Sequence, residues 1–477
     1  MKTNNFNSTD PGSFRDPSGI IFWRDGKLFR QINNCYKEQY RAFINTGLKS
    51  KLVESGLIIP YREVDATGLD ERAFLVIEPD LIPLISYPYE WSFGQIKDAA
   101  LTTLRIHQSA LENGMILKDA SAYNIQFSSG KAIHIDTLSF DFYKDGEPWV
   151  AYAQFCKHFL APLFLMVYTD IRLSQLLRVY IDGIPLDLAS KLLKGKGGFA
   201  VKAHIHWHAK SVIKHGQDGA TEVAGADGMP GKKVTNRITP VSKFKMMAMI
   251  EQLIGIVSKL ELKNVVTEWG TYYSNTNYTD LAADNKKSIV TGYLSDISPG
   301  ITWDFGANDG TYSRLALAGA NGNKNFVAAF DIDPIAVERN YSVVKHSGEN
   351  MLPLLLDLAN PSPGIGFANK ERSELSIRQR PDCILMLALI HHLTISNNLP
   401  FGLIAGWLAT FCDNLIIEFV PKSDSQVQVL LATRDDIFHD YNESTFEAEF
   451  GKFFNIKEKK TLADSDRVLY LMHRRQV

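Results

Sequence analysis

The sequence predicts an α/β protein whose C-terminal half contains a buried, mostly parallel sheet. Unbroken apolar runs recur there between helical stretches, which is typical of parallel strands covered by helices on both faces. A turn from Gly306 to Gly310 directly follows one run, and the next run ends in Asp331. Strand, glycine turn, helix, strand and acid, in this order, indicate the first half of a nucleotide-binding βαβ unit.

The turn itself indicates the kind of ligand. A dinucleotide site needs the spacing G-x-G-x-x-G, because its pyrophosphate contacts amides at a helix N-terminus. Here the spacing is G-x-x-x-G, and Asp304 precedes Gly306 by two positions. A carboxylate at that point repels phosphate and attracts an ammonium group. A ligand with a ribose, an ammonium group and no phosphate describes S-adenosylmethionine.

The loop resembles the first motif of class I S-adenosylmethionine-dependent methyltransferases, D-x-G-x-x-x-G. The resemblance extends from near Val241 to the C-terminus and implies a Rossmann-like domain with a seven-stranded, mostly parallel sheet. It places Asp331 on the ribose hydroxyls and Asp357 near the adenine amine, while Asp333 is the weaker candidate and suits a helix cap. The cofactor-binding residues that it implies are Asp304, Gly306, Asn308, Gly310, Asp331, Ile332, Asp357, Leu358 and Leu387.

The remaining strands follow in order along the C-terminal half. Runs 326–330, 354–358, 381–393 and 415–420 are similar to the second, third, fourth and fifth strands of that family. The tail predicts a helix and then two antiparallel strands. Ligands of such sheets bind beyond the carboxyl ends of the strands, so the polar residues at those ends are candidates for the site.

Three of these polar residues are candidates for catalysis. Methyl transfer from a sulfonium is an in-line displacement of an activated group, so the protein mainly supplies positioning, and a base helps if the acceptor is a hydroxyl or carboxyl. His391 and His392 end the fourth strand, and Glu418 ends the fifth. Packing, loop anchoring or turn capping are the alternative roles. The His-His-Leu ending, in place of Asn/Asp-Pro-Pro-Tyr, argues against methylation of adenine, cytosine or glutamine nitrogens.

The acceptor and the compartment are predicted from composition and from a weaker resemblance. The motif order resembles bacterial nodulation-type methyltransferases, which implies a glycan or small-molecule acceptor. A net charge of −2 provides no basic field for nucleic acid. Four separated cysteines in apolar settings indicate a cytoplasmic protein with reduced thiols. No apolar run is long enough for a membrane span, and no metal is expected in the methyltransferase domain.

The N-terminal half resembles the protein-kinase-like fold of aminoglycoside-type phosphotransferases, an α+β domain. The carrying residues are Asp119 and Asn124, spaced D-x-x-x-x-N, followed by a hairpin and Asp136. In that chemistry the first acid orients a hydroxyl, and the other two residues hold Mg²⁺ on a nucleotide. The sequence departs from the family because no glycine-rich phosphate loop is present and Arg30 or Lys27 stands in for the phosphate lysine. Weak or absent binding of Mg-nucleotide is therefore expected.

The chain is predicted to divide into a kinase-like domain, 1–192, a glycine-rich connector, 193–240, and a methyltransferase domain, 241–477. Residues 241–298 form cap helices of the last domain, and the aromatic segment 267–278 suits a lid. The charged stretch 364–380 is predicted to be a solvated loop, with a substrate-binding flap as the alternative.

Alternating histidines in the connector form the one candidate metal cluster. His204, His206 and His208 on one strand face would suit zinc or nickel, and a polar surface strand or loop is the alternative.

Two further functions stay open beside an active methyltransferase. The chain is alternatively a non-catalytic scaffold or sensor, or a bifunctional kinase and methyltransferase that uses Asp119, Asn124 and Asp136. The oligomeric state is not predicted by the sequence.

Overall fold

The computed structural model describes residues 8–64, 71–206, 240–263, 267, 278–319, 325–432 and 435–476. The predicted lid segment falls outside these ranges except for Thr267 and Tyr278, and so does His208 of the histidine cluster. Within the described ranges, no helix combines the length and the apolar character needed to cross a membrane.

The chain begins with an antiparallel sheet of five strands in the order β1-β2-β3-β5-β4. The second and third strands form a hairpin, and its turn at Asp25 and Gly26 has φ of 53° and 75°, the backbone conformation that two-residue hairpins need. The strands are β1 Ser8–Thr9, β2 Gly19–Arg24, β3 Lys27–Asn33, β4 Tyr61–Val64 and β5 Ala73–Pro79. Two helices, α1 Lys37–Asn45 and α2 Leu48–Glu54, lie between β3 and β4.

A long helix, α3 Phe93–Glu112, follows the sheet. It begins at Ser92, whose side chain accepts from the Gln95 amide while Gln95 reaches back to the Ser92 amide, a capping box. Two small antiparallel pairs come next, β6 with β9 and β7 with β8. Their ranges are β6 Met115–Leu117, β7 Ile125–Ser128, β8 Lys131–His134 and β9 Phe140–Phe142.

Short helices complete the N-terminal part and continue into the predicted connector. They are α4 Tyr152–Phe155, α5 Ala161–Tyr168, α6 Leu176–Val179, α7 Leu186–Leu193 and α8 Gly198–Val201, followed by a π-helical turn at Lys202–His206. Val201 and Ile205 are fully buried. The described part of the connector is thus helical and packed, because these two side chains join the hydrophobic core. A strand at the histidines was the wrong expectation.

Helix α9, Lys243–Ser258, packs along α3. Met246, Ile250, Leu253 and Val257 recur at helical spacing and are fully buried, and the ammonium of Lys97 donates to the Leu260 carbonyl at 2.8 Å. The helix expected at this position is present. Its apolar face contacts α3 of the N-terminal part, whereas the sequence predicts this helix as a cap of the methyltransferase domain.

The C-terminal sheet has, among the described residues, seven strands, as predicted, and their order is β12-β11-β10-β13-β14-β16-β15. Its strands are β10 Ile301–Phe305, β11 Phe326–Asp331, β12 Met351–Leu355, β13 Cys383–Met386, β14 Asn414–Phe419, β15 Phe454–Thr461 and β16 Val468–Arg474. The first five in the chain are parallel, and β16 runs antiparallel to both β14 and β15.

Helices cover both faces of this sheet. They are α10 Asp280–Ile297, α11 Thr311–Leu317, α12 Pro334–Ser347, α13 Leu375–Arg378, α14 Phe401–Ala409, α15 Ser425–Leu431 and α16 Glu443–Phe450. All six residues of β11 are buried, because neighbouring strands lie on both sides and helices lie on both faces. The carboxyl ends of the parallel strands β10 to β14 therefore meet along one edge.

Part of the charged stretch 364–380 packs between the two halves, so the prediction of a solvated loop was wrong for Glu371 and Arg378 but not for the exposed residues 367–370. Arg378 and Glu90 are each only 2% exposed and form a two-pronged ion pair, with N···O distances of 2.8 and 2.5 Å. Ser362 donates to the same carboxylate, and the Arg372 guanidinium lies 4.4 Å from the centre of the Tyr123 ring. These side chains are packed because they find partners on the N-terminal part, whereas residues 367–370 and Glu374 are exposed.

Loss of Arg378 alone is expected to destabilise the whole chain. Arg378→Ala leaves Glu90 buried without its partner, which typically costs about 3–5 kcal/mol of the free energy of unfolding in urea. Arg380→Ala is the matched control, because Arg380 is 45% exposed beside Asp413 and such surface pairs contribute at most about 1 kcal/mol. The double variant Glu90→Leu/Arg378→Met should recover stability, since no charge is left unpaired. Equal stability of the two single variants would contradict a buried pair that joins the halves.

Candidate functional site

A cavity of about 640 Å³ opens at the carboxyl ends of the parallel strands. It is lined by the ends of β10, β11 and β13, by the residues after β12, and by α10. The sequence-predicted residues on its wall are Asp304, Gly306, Asn308, Asp331, Ile332, Asp357, Leu358, Leu387 and His392. These positions are far apart in the chain and come together because their strands end on the same edge.

The glycine turn forms one wall of the cavity. Gly306 has φ of +75°, which favours glycine, and a Cβ there would meet Leu389 at 3.3 Å. Gly310 has φ of +81°, and a Cβ would lie 2.7 Å from Arg314 and Asn340 atoms. Gly310 does not line the cavity. Its role in the structure is therefore to let the turn pack closely against these two side chains.

Asp304 is a buried carboxylate at the end of β10, only 2% exposed. Its Oδ2 accepts from the Ser313 hydroxyl at 2.6 Å. Burial raises its pKa to about 7, and the nearby Asp331 carboxylate raises it further, whereas Ser313 and Lys286 oppose the shift. The site thus holds a carboxyl group that titrates near neutral pH and gains from a cationic neighbour.

Asp331 ends β11 and is fixed by two backbone amides. Its Oδ2 accepts from the Asn308 amide and its Oδ1 from the Asp333 amide, each at 2.8 Å. Burial raises its pKa to about 6, although these amides favour the charged form. The carboxylate is therefore held in one orientation on the cavity wall and retains lone pairs for a ligand.

Asp333 and Asp357 have different roles. Asp333 caps α12, since its Oδ1 accepts from the amides of Ile335 and Ala336 at 2.8 and 3.2 Å, as the sequence suggested. Asp357 accepts from the Ala359 amide at 2.8 Å and lines the cavity. Of the two, only Asp357 belongs to the cavity wall.

The two histidines after β13 differ in position. His391 is 2% exposed, and burial holds its pKa well below the usual range, with His392 lowering it further. His392 lines the cavity, and burial lowers its pKa to about 4. His392 is therefore the histidine that presents a neutral imidazole to a bound molecule at neutral pH, while His391 packs beneath it.

Glu418, the third catalytic candidate, is fully buried at the end of β14 and does not line the cavity. It accepts from the Lys286 ammonium at 2.7 Å, the Tyr278 hydroxyl at 2.6 Å and the Ala388 amide at 2.8 Å. Burial would raise its pKa, but Lys286 and Arg467 outweigh that effect and lower it. Glu418 is therefore a charged structural group rather than a base facing the cavity.

Lys286 and Tyr278 line the cavity. Tyr278 is the last residue of the predicted lid segment, whereas Lys286 was not predicted to belong to the site. A detectable signal existed for Lys286. It occupies the apolar face of α10 together with Ala282, Ile289 and Tyr293, and a lysine on such a face needs a buried partner. That partner, Glu418, lies on another strand and was not recognised.

Two of the N-terminal candidates, Asn124 and Asp136, lie around one partly buried carboxylate, that of Asp136. Asp136 pairs with the Arg30 guanidinium at 2.5 Å and accepts from the Ser139 hydroxyl, which in turn accepts from the Asn124 amide group at 3.3 Å. Burial would raise the pKa of Asp136, but Arg30 outweighs that effect and lowers it. Arg30 thus occupies the carboxylate that the kinase-like resemblance assigned to Mg²⁺.

Asp119 is also engaged within the protein. Its Oδ1 accepts from the Ser121 amide at 2.9 Å and from the Gln154 side chain at 2.8 Å.

No metal cluster is present among the described residues. Within that part of the chain, no three His, Cys, Asp or Glu side chains come together as metal ligands would. His204 shares a hydrogen bond of 2.6 Å with Tyr152, and His206 one of 2.5 Å with Ser190. The two histidines therefore serve packing contacts in this structure.

Comparison with known proteins identifies the family. The chain is 32% identical over 470 residues to the nodulation protein NoeA of Rhizobium meliloti (strain 1021), covering 97% of this chain and 95% of that protein. The chain belongs to the NoeA family. No protein-family model matches it.

Solved structures of methyltransferases are also similar to this NoeA-family chain. A putative O-methyltransferase from Nostoc punctiforme is 12% identical and covers 43% of this chain and 59% of its own, with a TM-score of 0.31. The mitomycin 7-O-methyltransferase MmcR is 12% identical over 61% of this chain and 72% of its own, with a TM-score of 0.28. Likenesses with TM-scores this low carry no weight for the acceptor or for the roles of individual residues.

The N-terminal cluster is expected to give no thermal shift with Mg²⁺ and ATP or GTP. Arg30 already neutralises Asp136, so a divalent cation would have to displace a paired guanidinium. The measurement is the melting temperature of the full chain with and without Mg-nucleotide, with Asp136→Ala as the control. A large shift that disappears in Asp136→Ala would instead show a working nucleotide site.

Proposed function

We propose that this NoeA-family protein is an S-adenosylmethionine-dependent methyltransferase, acting on a small-molecule or glycan acceptor. The observation that supports it most is the pair of buried carboxylates, Asp304 and Asp331, on the wall of one cavity at the carboxyl ends of β10 and β11. Buried carboxylates are costly unless they meet a cation or hydrogen-bond donors. S-adenosylmethionine supplies both, in its ammonium group and its ribose hydroxyls.

The residues that line the cavity suggest the contacts of the cofactor. Asp331 accepts from the ribose hydroxyls, with Ile332 and Asn308 beside it, and Asp357 and Leu358 meet the adenine. Asp304 attracts the ammonium end, directly or through water. Gly306 lets the backbone approach the ligand, and Leu387 closes the strand end. The same turn offers no unobstructed row of amides for a pyrophosphate, because the Asn308 amide already donates to Asp331.

The acceptor enters beside His392. Its neutral imidazole can take a proton from a hydroxyl as the methyl group transfers, and it lies on the cavity wall with Tyr278 and Asn397. A donor already activated as a sulfonium needs mainly alignment and exclusion of water. His392 is accordingly the base of the proposal, and His391 and Glu418 act behind it.

The acceptor class has support of a different kind. The relative's name associates that protein with nodulation, and the net charge of −2 offers no general attraction for a nucleic acid backbone. A small hydroxylated molecule or a glycan fits both points. The scaffold alternative has no observation in its favour, and the bifunctional alternative conflicts with the occupied Asp136.

Asp331→Asn should weaken S-adenosylmethionine binding. Charge-assisted hydrogen bonds contribute about 1.5–3 kcal/mol, so affinity should fall roughly 10- to 100-fold in isothermal titration calorimetry. Asp284→Asn is the control, since Asp284 is 79% exposed on α10 and should bind as the wild type does. Unchanged affinity in Asp331→Asn would remove Asp331 from the site.

Cofactor affinity should rise with pH as the two carboxyls ionise. With pKa values of about 7 for Asp304 and about 6 for Asp331, calorimetry should give weaker binding near pH 5 than near pH 8. Both values lie above the ordinary 3.8. Protonation of the two groups therefore stabilises the unliganded fold. This contribution to the free energy of unfolding is complete below pH 3.8 and is lost as pH rises through the folded-state pKa values.

The pH dependence of the stability of the unliganded protein checks the same ionisation independently. Comparison of Asp304→Asn with the wild type by chemical unfolding should show that the wild-type contribution from Asp304 falls between about pH 5 and pH 8. Affinity and this stability contribution thus change in opposite directions. A pH-independent affinity would contradict the ionisation of these carboxyls on binding.

The function itself is tested by transfer of a labelled methyl group. Full-length protein and isotopically labelled S-adenosylmethionine are incubated with extract of the producing cells, and mass spectrometry detects a product that carries the label. Asp331→Asn is the matched control and should give little labelled product. A folded wild-type protein that binds no S-adenosylmethionine would refute the proposal.

A further inference from the structure

Glu418 lies at the centre of a buried set of charges behind the cavity. Its side chain is fully buried, and Lys286 and Arg467 beside it are 3% and 2% exposed. The ammonium of Lys286 lies 2.7 Å from its Oε2, and the guanidinium of Arg467 lies 3.8 Å from its Oε1. Arg467 also pairs with Asp424 at 2.7 Å. The set therefore contains two cations and two anions and is close to neutral.

One contact of Glu418 goes to the backbone rather than to a charge. Its Oε2 accepts from the Ala388 amide at 2.8 Å. Ala388 follows β13 and has φ of +49°, a left-handed conformation that residues with a Cβ rarely adopt. Such a conformation persists when surrounding contacts determine it. The Glu418 carboxylate is a contact of this kind, and it reaches Ala388 from the neighbouring strand.

The Ala388 turn is part of the cavity wall. Ala388 and the next residue, Leu389, both line the cavity. The Leu389 side chain is the neighbour that a Cβ on Gly306 would meet, at 3.3 Å. The turn after β13 thus lies against the glycine turn after β10, and the two together shape the space between them.

The same carboxylate also orients Lys286 and Tyr278 on an adjoining part of the cavity wall. Lys286 lies 4.8 Å from the centre of the Tyr278 ring and 4.9 Å from that of Tyr312. The Tyr278 hydroxyl donates to Glu418 at 2.6 Å and accepts from Lys286 at 3.0 Å. Tyr278, Lys286 and Tyr312 all line the cavity. One buried side chain therefore fixes two walls that belong to different elements.

We propose that Glu418 is a positioning residue of the cofactor cavity: by holding the Ala388 amide it keeps the turn after β13 in the conformation that accepts the cofactor. The inference rests on the proposed function for the identity of that cofactor. It assigns Glu418 no contact with cofactor or acceptor, in contrast to a base. Removal of the Glu418 oxygen that accepts from the Ala388 amide should release the turn. Cofactor binding should then weaken even though the cofactor never touches Glu418.

The test separates the backbone contact from the buried charge pair. Loss of Glu418 alone would leave Lys286 unpaired and destabilise the fold, so both variants also carry Lys286→Met. Glu418→Gln/Lys286→Met keeps an oxygen that accepts from Ala388, whereas Glu418→Leu/Lys286→Met removes it. The single variant Lys286→Met gives the baseline, because Arg467, 3.8 Å from Glu418, still neutralises that carboxylate. The probe is S-adenosylhomocysteine, measured by calorimetry on the full-length protein, together with the melting temperature.

The expected result is a split between the two double variants. Glu418→Gln/Lys286→Met should bind S-adenosylhomocysteine within about threefold of the baseline, and Glu418→Leu/Lys286→Met at least about tenfold more weakly, the loss expected for one hydrogen bond to a charged or buried group. Hydrogen exchange of a peptide that contains Ala388 should be faster in the leucine variant. Similar melting temperatures would show that both double variants are folded.

Each contrary outcome has a distinct meaning. Equal affinity of the two folded double variants, or unchanged exchange at Ala388, would refute the positioning role while leaving the cofactor assignment intact. Absence of S-adenosylhomocysteine binding in the wild type would refute the proposed function instead. Weakened binding in both double variants, relative to Lys286→Met, would show that the charge of Glu418 matters rather than its contact with Ala388, and would also overturn the inference.

Discussion

The candidate site depends on one geometric constraint, which is that parallel strands end on the same edge of a sheet. In this chain the constraint brings Asp304, Asp331 and Asp357 to one cavity, although whole helices separate them in sequence. It also buries the carboxylates of Asp304 and Asp331, and burial is the largest cause of their raised pKa values. A site built in this way is poised for a ligand that carries positive charge and hydroxyl donors.

Much of this arrangement is local in the sequence and was therefore predictable. An apolar run followed by a polar residue marks a strand end, so the three acids, the glycine turn and the succession of parallel strands along the chain could all be predicted. The distinction between His391 and His392 could not. It depends on a π-helical turn at His392–Ser396, which directs one ring to the cavity and the other into the core, and neighbouring residues in a sequence carry no signal of such a turn.

Contacts between distant segments were the other limit of the sequence. Glu418 was a sound candidate as an acid at a strand end, but its partner Lys286 lies 132 positions earlier. The charges of the 364–380 stretch indicated solvent because their partners, such as Glu90, belong to the other half of the chain. The local sequence therefore predicts solvent exposure wrongly when a charged residue forms an ion pair with a residue far away in the chain. The kinase-like resemblance of the N-terminal half stays a prediction. There too a remote residue matters, because Arg30 pairs with Asp136 and changes what Asp136 can bind.

The ion pair between the halves also has a consequence for synthesis of the chain. Glu90 and Arg378 are 288 positions apart, and a ribosome adding about 5–20 residues per second needs on the order of tens of seconds to reach the second residue. During that interval the N-terminal part lacks the arginine that neutralises Glu90, and for the first part of the interval α3 also lacks α9. The nascent chain therefore exposes an apolar face of α3 until residue 258 has been added, and an unpaired Glu90 until residue 378 has been added.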